Sequence, residues 1–368
     1  MDVILSCFFE NFEETERNSL HARYKRRAMV EYFNTLIEGC RLGNTQLAKL
    51  VVFVRKIMTG EKNSGKPLTP CEISVVVGKE CDPQVIVREA IIGILRYHED
   101  ARSKNGGVCL MGKYHDVLYV AIRLCYDWQL KDSQTIASLL DEIYSCENTF
   151  ERILIGALFG TRAPHYIAGW KSDFENQEDN VRAMVYYLDH AMTANLEYKY
   201  GPDRELTRYI DIPIESCGKL TSLKIAIQLG LPDKLHILLR FGALVTSRND
   251  EDPIVVWLLD KLTEYTGCYP YNFVSCLQLL CRVLPNISPK INHVDHQLQR
   301  QIMLEKYNDL INHGIMPLNR CGVVPAELKH LSRCVIRKVL WENYDLPNAI
   351  RKLPIPERLH KYLDLLED

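Results

Sequence analysis

Apolar residues along this chain return in strides of three and four, and nowhere does period-two alternation run long enough to build a sheet. That pattern predicts a nearly all-helical fold. The clearest stripe runs from Pro325 to Trp341, where Leu328, Leu331, Val335 and Val339 share one face and Ile336 and Leu340 widen it. Lys329, Arg333, Arg337 and Lys338 occupy other faces, so this helix has an apolar side in need of a partner. Next comes Leu353-Pro354-Ile355-Pro356, a stiff extended segment. A last predicted helix, Glu357 to Leu366, puts Leu359, Tyr362, Leu363 and Leu366 on one side.

A helix-pair repeat is legible further upstream. Thr221-Ser222-Leu223-Lys224-Ile225-Ala226 opens a short helix that ends at Leu229-Gly230, and Leu235 to Leu239 followed by Gly242-Ala243 closes a second. Leu223 and Ala226 fall on one face, the small alanine allows neighbouring helices to approach, and the two glycines supply the helix ends. This unit resembles the ankyrin repeat, whose period is about 33 residues and whose opening reads T-P-L-H-x-A. A weaker copy of the frame spans Leu36, Gly39, Leu42 and Gly43, with Leu47 to Val54 as its second helix. Further copies begin at Leu118-x-x-Ala121, with a second helix near Ile136 to Ile143, and at Leu154-x-x-Ala157, with one near Val181 to Met192. Another begins at Pro253, with Val256, Leu259 and Leu262 on one face and Cys276 to Val283 as a lengthened second helix. The step from Leu154 to Leu223 is nearly twice that from Leu118 to Leu154, which predicts an unrecognised unit or a long insertion between Ser172 and Asp211. Turn chemistry predicts loops at Thr59–Pro70, Ser172–Asn180 and Ser247–Pro253. The expected divisions are residues 1–105, a helical region with one degenerate unit; 106–320, divergent repeats; and 321–368, a separate C-terminal module.

Composition adds exclusions more than assignments. At 368 residues, 47% hydrophobic and 25% charged, the chain has material for a large packed core. A formal net charge of −2 argues against a general attraction to nucleic acid or acidic membranes. The short cluster Arg23, Lys25, Arg26 and Arg27 reads first as a solvated helix face, with nuclear import or an anionic partner as the alternative. The N-terminal apolar run has Asp2 where a signal peptide carries positive charge and stops at Glu10, and no apolar stretch reaches the roughly 20 residues of a membrane helix. The 13 cysteines, odd in number and scattered through helix-like segments, suit reduced thiols in a cytoplasmic or nuclear protein.

The last 45 or so residues resemble the SOCS box, the C-terminal module of the ankyrin-repeat and SOCS-box family. The family's BC box, Leu-x-x-x-Cys-x-x-x-apolar, falls on Leu328, Ser332 and Ile336, and Ile336-Arg337 matches the usual Ile-Arg. Its Cullin-5 box, Leu-Pro-apolar-Pro, is met by Leu353, Pro354, Ile355 and Pro356. Ser332 stands where the family usually has cysteine, and Glu327 where Ser, Thr or Pro commonly precedes the leucine; a serine wants a hydrogen bond, which lowers the affinity to be expected. The resemblance implies an all-α, ankyrin-like solenoid followed by a three-helix SOCS box. It also implies a non-catalytic substrate receptor of a ubiquitin ligase. Leu328, Leu331, Ser332, Val335 and Ile336 would meet Elongin C, paired with Elongin B. Residues 353–356 would meet Cullin-5 with its RING subunit, and the repeats would hold a protein substrate. Arg248, Asp250 and Glu251, in the loop leading to a repeat start, are candidates for that last contact. A plain ankyrin scaffold, or an Elongin-binding adaptor that recruits no cullin, is the alternative.

Sharper chemistry finds little support. Gly60-x-x-x-x-Gly65-Lys66 has P-loop spacing, but Pro67 replaces the magnesium-binding hydroxyl and lacks a backbone donor. His293, Asp295 and His296 lie close in sequence without a Cys-x-x-Cys pair to complete a zinc site, and Cys276 and Cys281 sit in an apolar helix. Gly-x-Ser-x-Gly, His-Glu-x-x-His and dinucleotide-type glycine motifs are missing. No cofactor, metal ligand or catalytic residue is therefore expected.

Overall fold

Four acidic-side-chain, proline and lysine placements at helix ends set much of the first half of the structure. The computed structural model describes residues 2–42, 82–160, 172–202, 204–246, 254–287 and 296–368. These divide into two compact units, Met1–Phe150 with Lys171–Asp179, and Glu151–Trp170 with Asn180–Asp368. The first unit contains α1 (Asp2–Glu13), α2 (Arg23–Leu42), α3 (Pro83–Lys104), α4 (Lys113–Asp127) and α5 (Ser133–Glu147). Asp82 caps α3 by accepting from the Gln84 amide at 2.9 Å, with Pro83 at the first helical position. Asp132 caps α5 in the same way, accepting from Gln134 N at 3.2 Å and Thr135 Oγ1 at 2.7 Å.

Ile136, Leu139, Leu140 and Ile143 of α5 repeat at helical spacing and are buried, as are Val117, Leu118, Ala121 and Leu124 of α4. The expected pairing of a Leu118–Ala121 helix with one at Ile136–Ile143 is thus observed, on helices longer than an ankyrin repeat uses. Lys113 is only 2% exposed, and its ammonium donates to the carbonyls of Phe12 (3.0 Å), Glu13 (2.7 Å) and Thr15 (2.8 Å). A cation at the end of α1 satisfies acceptors that the helix leaves free and opposes the helix dipole.

Two expectations change here. Arg26 is buried rather than solvated: its guanidinium meets Asp173 at 2.9 Å and donates to the carbonyls of Leu20 and His21. The neighbouring Arg27 reaches Glu175 at 3.1 Å, so the basic cluster is largely matched by the acidic segment of its own unit. The Ser172–Asn180 loop is also shorter than expected, because Asn176 accepts from the Asp179 amide at 2.8 Å and α7 (Gln177–Thr193) begins beside it. In the weak copy at Leu36, α2 runs as one 20-residue helix through Gly39; Gly43, Leu47–Val54 and the P-loop-like segment lie outside the described residues.

The second unit holds α6 (Glu151–Phe159) and α7 from Asn180 onward, which are the two helices expected at Leu154 and Val181. An antiparallel hairpin follows, β1 (Glu197–Tyr200) with β2 (Glu205–Arg208), in the register Glu197 to Arg208 and Tyr200 to Glu205. The hairpin lies in the stretch between Ser172 and Asp211 where the irregular repeat step predicts an unrecognised unit or an insertion, and it adds a little sheet to an otherwise helical fold. Next comes the ankyrin-like pair α8 (Ser222–Gln228) and α9 (Pro232–Arg240). Thr221 caps α8 by accepting from Lys224 N at 3.3 Å, Leu223 and Ala226 are fully buried, and Gly230 and Gly242 take φ of 61° and 82°. The next pair is α10 (Ile254–Thr263) and α11 (Tyr271–Val283). Its core face is Ile254, Val255, Leu258, Leu259 and Leu262, with Val256, expected on that face, half-buried at its edge. After α12 (His296–Lys306) and α13 (Asn308–Asn312) the chain ends in α14 (Leu328–Glu342), a 3₁₀ turn (Asn348–Lys352) and α15 (Glu357–Leu363). The three helices expected of this module are thus two α-helices with a five-residue 3₁₀ helix between them.

Candidate functional site

The stripe expected on α14 is present and faces outward, except that Leu340, expected to widen it, lies on the buried side, in the small core with Leu346, Ile350 and Leu363. Leu328 is 80% exposed, Val335 and Val339 are more than half exposed, and Leu331, Ser332 and Ile336 complete the same exposed face. The opposite face carries His330, Arg333, Arg337 and Leu340, all buried. A helix that turns leucine and valine to water and arginine inward needs strong polar partners beneath it.

Those partners are helix C-termini. Arg337 donates through Nη1 to Leu363 O at 2.8 Å and through Nη2 to Leu239 O, at the end of α9. Burial pushes its guanidinium down to about 10, which leaves it cationic at neutral pH. His330 donates from Nε2 to Leu284 O at 2.9 Å, just past the end of α11, while its Nδ1 accepts from Arg333 at 3.3 Å. Burial, helped by the charges of Arg320 and Arg333, holds that imidazole below its ordinary range and so in the neutral form this tautomer requires. Arg333 stacks on Tyr362 with its guanidinium carbon 4.2 Å from the ring centre. Two more pairs tie the C-terminal residues down: Arg240 of α9 grips Asp364 bidentately at 2.9 and 2.6 Å, and Arg282 of α11 meets Asp368 at 2.7 Å. Arg208 of β2 lies between the rings of Trp341 and Tyr344, 3.9 and 3.8 Å from their centres, and donates to Trp341 O at 2.6 Å. Glu327, the departure before the leucine, turns its carboxylate to Arg320 at 2.8 Å.

The second motif divides. Leu353 and Ile355 are half-buried against a small core of Leu340, Leu346, Ile350 and Leu363, whereas Pro354 and Pro356 are exposed. His360 donates to Leu353 O at 2.9 Å, and Pro356 opens α15. The structure therefore gathers Leu328, Leu331, Ser332, Val335 and Ile336 on one surface but folds half of the Leu353–Pro356 segment inward. Arg248, Asp250 and Glu251 lie outside the described residues, as do His293 and Asp295. Cys276 and Cys281 are buried thiols of α11, raised to about 12 by burial.

The cationic side of α14 escaped the sequence reading although a signal existed. Residues 330, 333, 337 and 340 repeat in the same three-and-four stride as the apolar stripe, so the helix carries two rows, and spacing alone does not say which of them the chain itself covers. Arg208 gave no comparable signal, since its ring partners are far away in sequence.

Residues 324–364 match the family model of the SOCS box. The chain is 33% identical over 153 residues to Ankyrin repeat and SOCS box protein 17 of Canis lupus familiaris, covering 40% of this chain and 50% of that protein. It is 31% identical over 153 residues to the Mus musculus protein of that name, with the same coverage, and 40% identical over 91 residues to the Homo sapiens one, covering 25% and 29%. The chain thus spans about half the length of the first curated relatives it matches. No solved structure matches.

Proposed function

We propose, from a chain that carries a SOCS box and whose matches support the ankyrin-repeat and SOCS-box family, that this protein is the substrate-recognition subunit of a Cullin-5 ubiquitin ligase. In this reading the outward face of α14 seats on Elongin C, which brings Elongin B. The Leu353–Pro356 segment meets Cullin-5 with its RING subunit, and the helix pairs hold a protein substrate. Ubiquitin transfer itself belongs to the partners, and the setting is the cytoplasm or nucleus; among the described residues no helix is long and apolar enough to cross a membrane.

The inverted burial of α14 carries the reading. Burying a Leu, Val or Ile side chain is favourable by about 1.5–3 kcal/mol, so a face of five such residues left in water gains most from a partner with an apolar groove. The arginines beneath it hold the face in place without using up the apolar side chains. Ser332 is exposed on that face.

The half-buried state of Leu353 and Ile355 favours a second reading, an Elongin adaptor that recruits no cullin, because two of the four Cullin-5 positions already serve the local core. Pull-down from cells separates the two. Leu328→Asp should remove Elongin C and Cullin-5 together, since an unpaired carboxylate would be forced into the apolar contact. Replacing only the exposed Pro354 and Pro356 by alanine should keep Elongin C and reduce Cullin-5. Elongin C recovery that is unchanged by Leu328→Asp overturns the docking assignment; Elongins recovered without Cullin-5 from the unaltered chain favour the adaptor.

A further inference from the structure

Within the first unit, three helices and one link bring two histidines and two cysteines to a point. His98 lies on α3, Cys109 in the link between α3 and α4, His115 in the first turn of α4, and Cys146 in the last turn of α5. The link doubles back through residues in the left-handed region, Gly106 and Gly107 at φ of 68° and 83° and Gly112 at 61°. That path carries Cys109 under the helix ends. One ligand atom from each of the four residues lies within 4.8 Å of the others, and no other such group occurs among the described residues.

The distances suit a shared ion. His98 Nε2 is 3.3 Å from Cys109 Sγ and 3.5 Å from Cys146 Sγ. Tetrahedral zinc, with bonds of about 2.0–2.1 Å to nitrogen and 2.3 Å to sulfur, places a nitrogen and a sulfur ligand about 3.6 Å apart.

The outer groups fix which nitrogens face inward. Glu142 meets His98 Nδ1 at 2.8 Å and is braced by Arg102 at 3.1 Å. Glu147 meets His115 Nε2 at 2.6 Å and also accepts from Tyr119 at 2.7 Å. Each imidazole therefore turns one nitrogen to a carboxylate and the other to the centre, the arrangement that orients histidine ligands in metal sites. An independent sign comes from His115 itself. The residue is 2% exposed and its Nδ1 is buried with no hydrogen-bond partner. Such an atom in a polar, close-packed cluster calls for a ligand. Met111 N lies 3.4 Å from Cys109 Sγ, a donor suited to a thiolate.

We propose that His98, Cys109, His115 and Cys146 bind one structural zinc ion. Two nitrogen and two sulfur donors in a tetrahedral set select zinc over magnesium or calcium, which take oxygen. Four protein ligands leave no open position, so the ion is structural rather than catalytic. Binding converts two thiols to thiolates and releases two protons to solvent; the thiolates balance the charge of the ion, and the imidazoles bind neutral. The ion fastens the α3–α4 link to the end of α5, and it is independent of the docking face in the second unit.

The test uses the full chain purified under reducing conditions without chelator. Elemental analysis should find one zinc per chain. After the zinc is stripped, cobalt(II) added to the reduced protein should give the strong visible absorption of a tetrahedral cobalt centre together with a thiolate-to-cobalt band, a readout that needs no variant. Glu147→Gln should keep the fold and weaken zinc retention in a chelator competition by about 10–100-fold. Cys109→Ser with Cys146→Ser should abolish the cobalt spectrum. A reduced protein that holds no zinc and gives no tetrahedral cobalt spectrum overturns the proposal. So does zinc that survives the double cysteine change, or a Cys109–Cys146 disulfide whose reduced form ignores both metals.

Discussion

Helices α8 and α14 are both written with apolar residues three and four apart, and they use that pattern in opposite directions. In α8 the apolar row, Leu223 and Ala226, goes into the core, and polar capping by Thr221 stays at the helix end. In α14 the apolar row goes to solvent, and the groups that hold the helix are a buried histidine and two buried arginines. The difference teaches that periodicity identifies a face without saying what covers it. An inward apolar face is fixed by volume and shape; an outward one needs directional bonds on the other side, here from the Arg337 guanidinium and the neutral His330 imidazole to carbonyls at the ends of α9 and α11.

The largest expected effect comes from breaking the polar attachment. Arg337→Ala strands the carbonyl of Leu363 in a buried site, leaves that of Leu239 with only its backbone donor from Gly242, and removes a charged donor, at a cost of about 3 kcal/mol. Thermal unfolding of the full chain should show the loss, and the C-terminal module should become the first region to exchange amide hydrogens. An unaltered melting profile would mean that α14 is held by other contacts.

The apolar attachment is the counterpart. Ala226 is fully buried, and leucine there overpacks the helix junction at about 1–3 kcal/mol. Gly242→Ala tests the place where the two modes meet, because its φ of 82° disfavours a side chain and an added Cβ would come within 2.7 Å of Trp341 Cδ1. It should destabilise by about 1–3 kcal/mol and, unlike Ala226→Leu, loosen the docking of α14 directly. Hydrogen exchange on α14 distinguishes the two variants.

What the sequence made legible follows the same divide. The pairs α4 with α5, α8 with α9 and α10 with α11 were visible because each is fixed by local spacing and turn residues. The face of α14 was visible for that reason too. Not visible were Arg208 between Trp341 and Tyr344, Arg26 on Asp173, and the convergence of His98, Cys109, His115 and Cys146, all of which depend on residues brought together from afar. The zinc-like set lacks a short Cys-x-x-Cys or His-x-x-x-His stride, so its spacing carries no signal until the helices are packed. The inward turn of Leu353 and Ile355 was hidden in another way, since a family motif marks positions without stating whether each one faces a partner or its own core.

A smaller effect on stability, with a large one on binding, is expected from the outward row. Val335→Ser removes apolar surface that the free chain leaves in water, so its melting temperature should stay within the range of surface changes, about 0.5 kcal/mol. Elongin C capture should nevertheless fall. A stability loss as large as that of Arg337→Ala would show that this row packs inward in solution and would erase the contrast with α8.

The smallest expected effect is a pH dependence at His330, and it probes the polar attachment without deleting it. The folded imidazole is held below its ordinary range, first by burial and then by the charges of Arg320 and Arg333; its bond to Leu284 O and the Glu327 carboxylate act the other way and do not outweigh them. The unfolded ring, near its ordinary value of about 6.5, therefore binds protons more readily than the folded one. Stability from this group is present above about pH 6.5 and declines as the pH falls below it, because the proton must enter at Nδ1, which now accepts from Arg333 at 3.3 Å. His330→Gln cannot take that proton while its amide can still donate to Leu284 O. The difference in unfolding free energy between the parent and His330→Gln should therefore shift in favour of the variant between pH 7 and pH 5.5, with the carboxylates common to both cancelling. If the two proteins lose stability in parallel over that interval, the buried neutral histidine is not part of what holds α14 with its apolar face to the solvent.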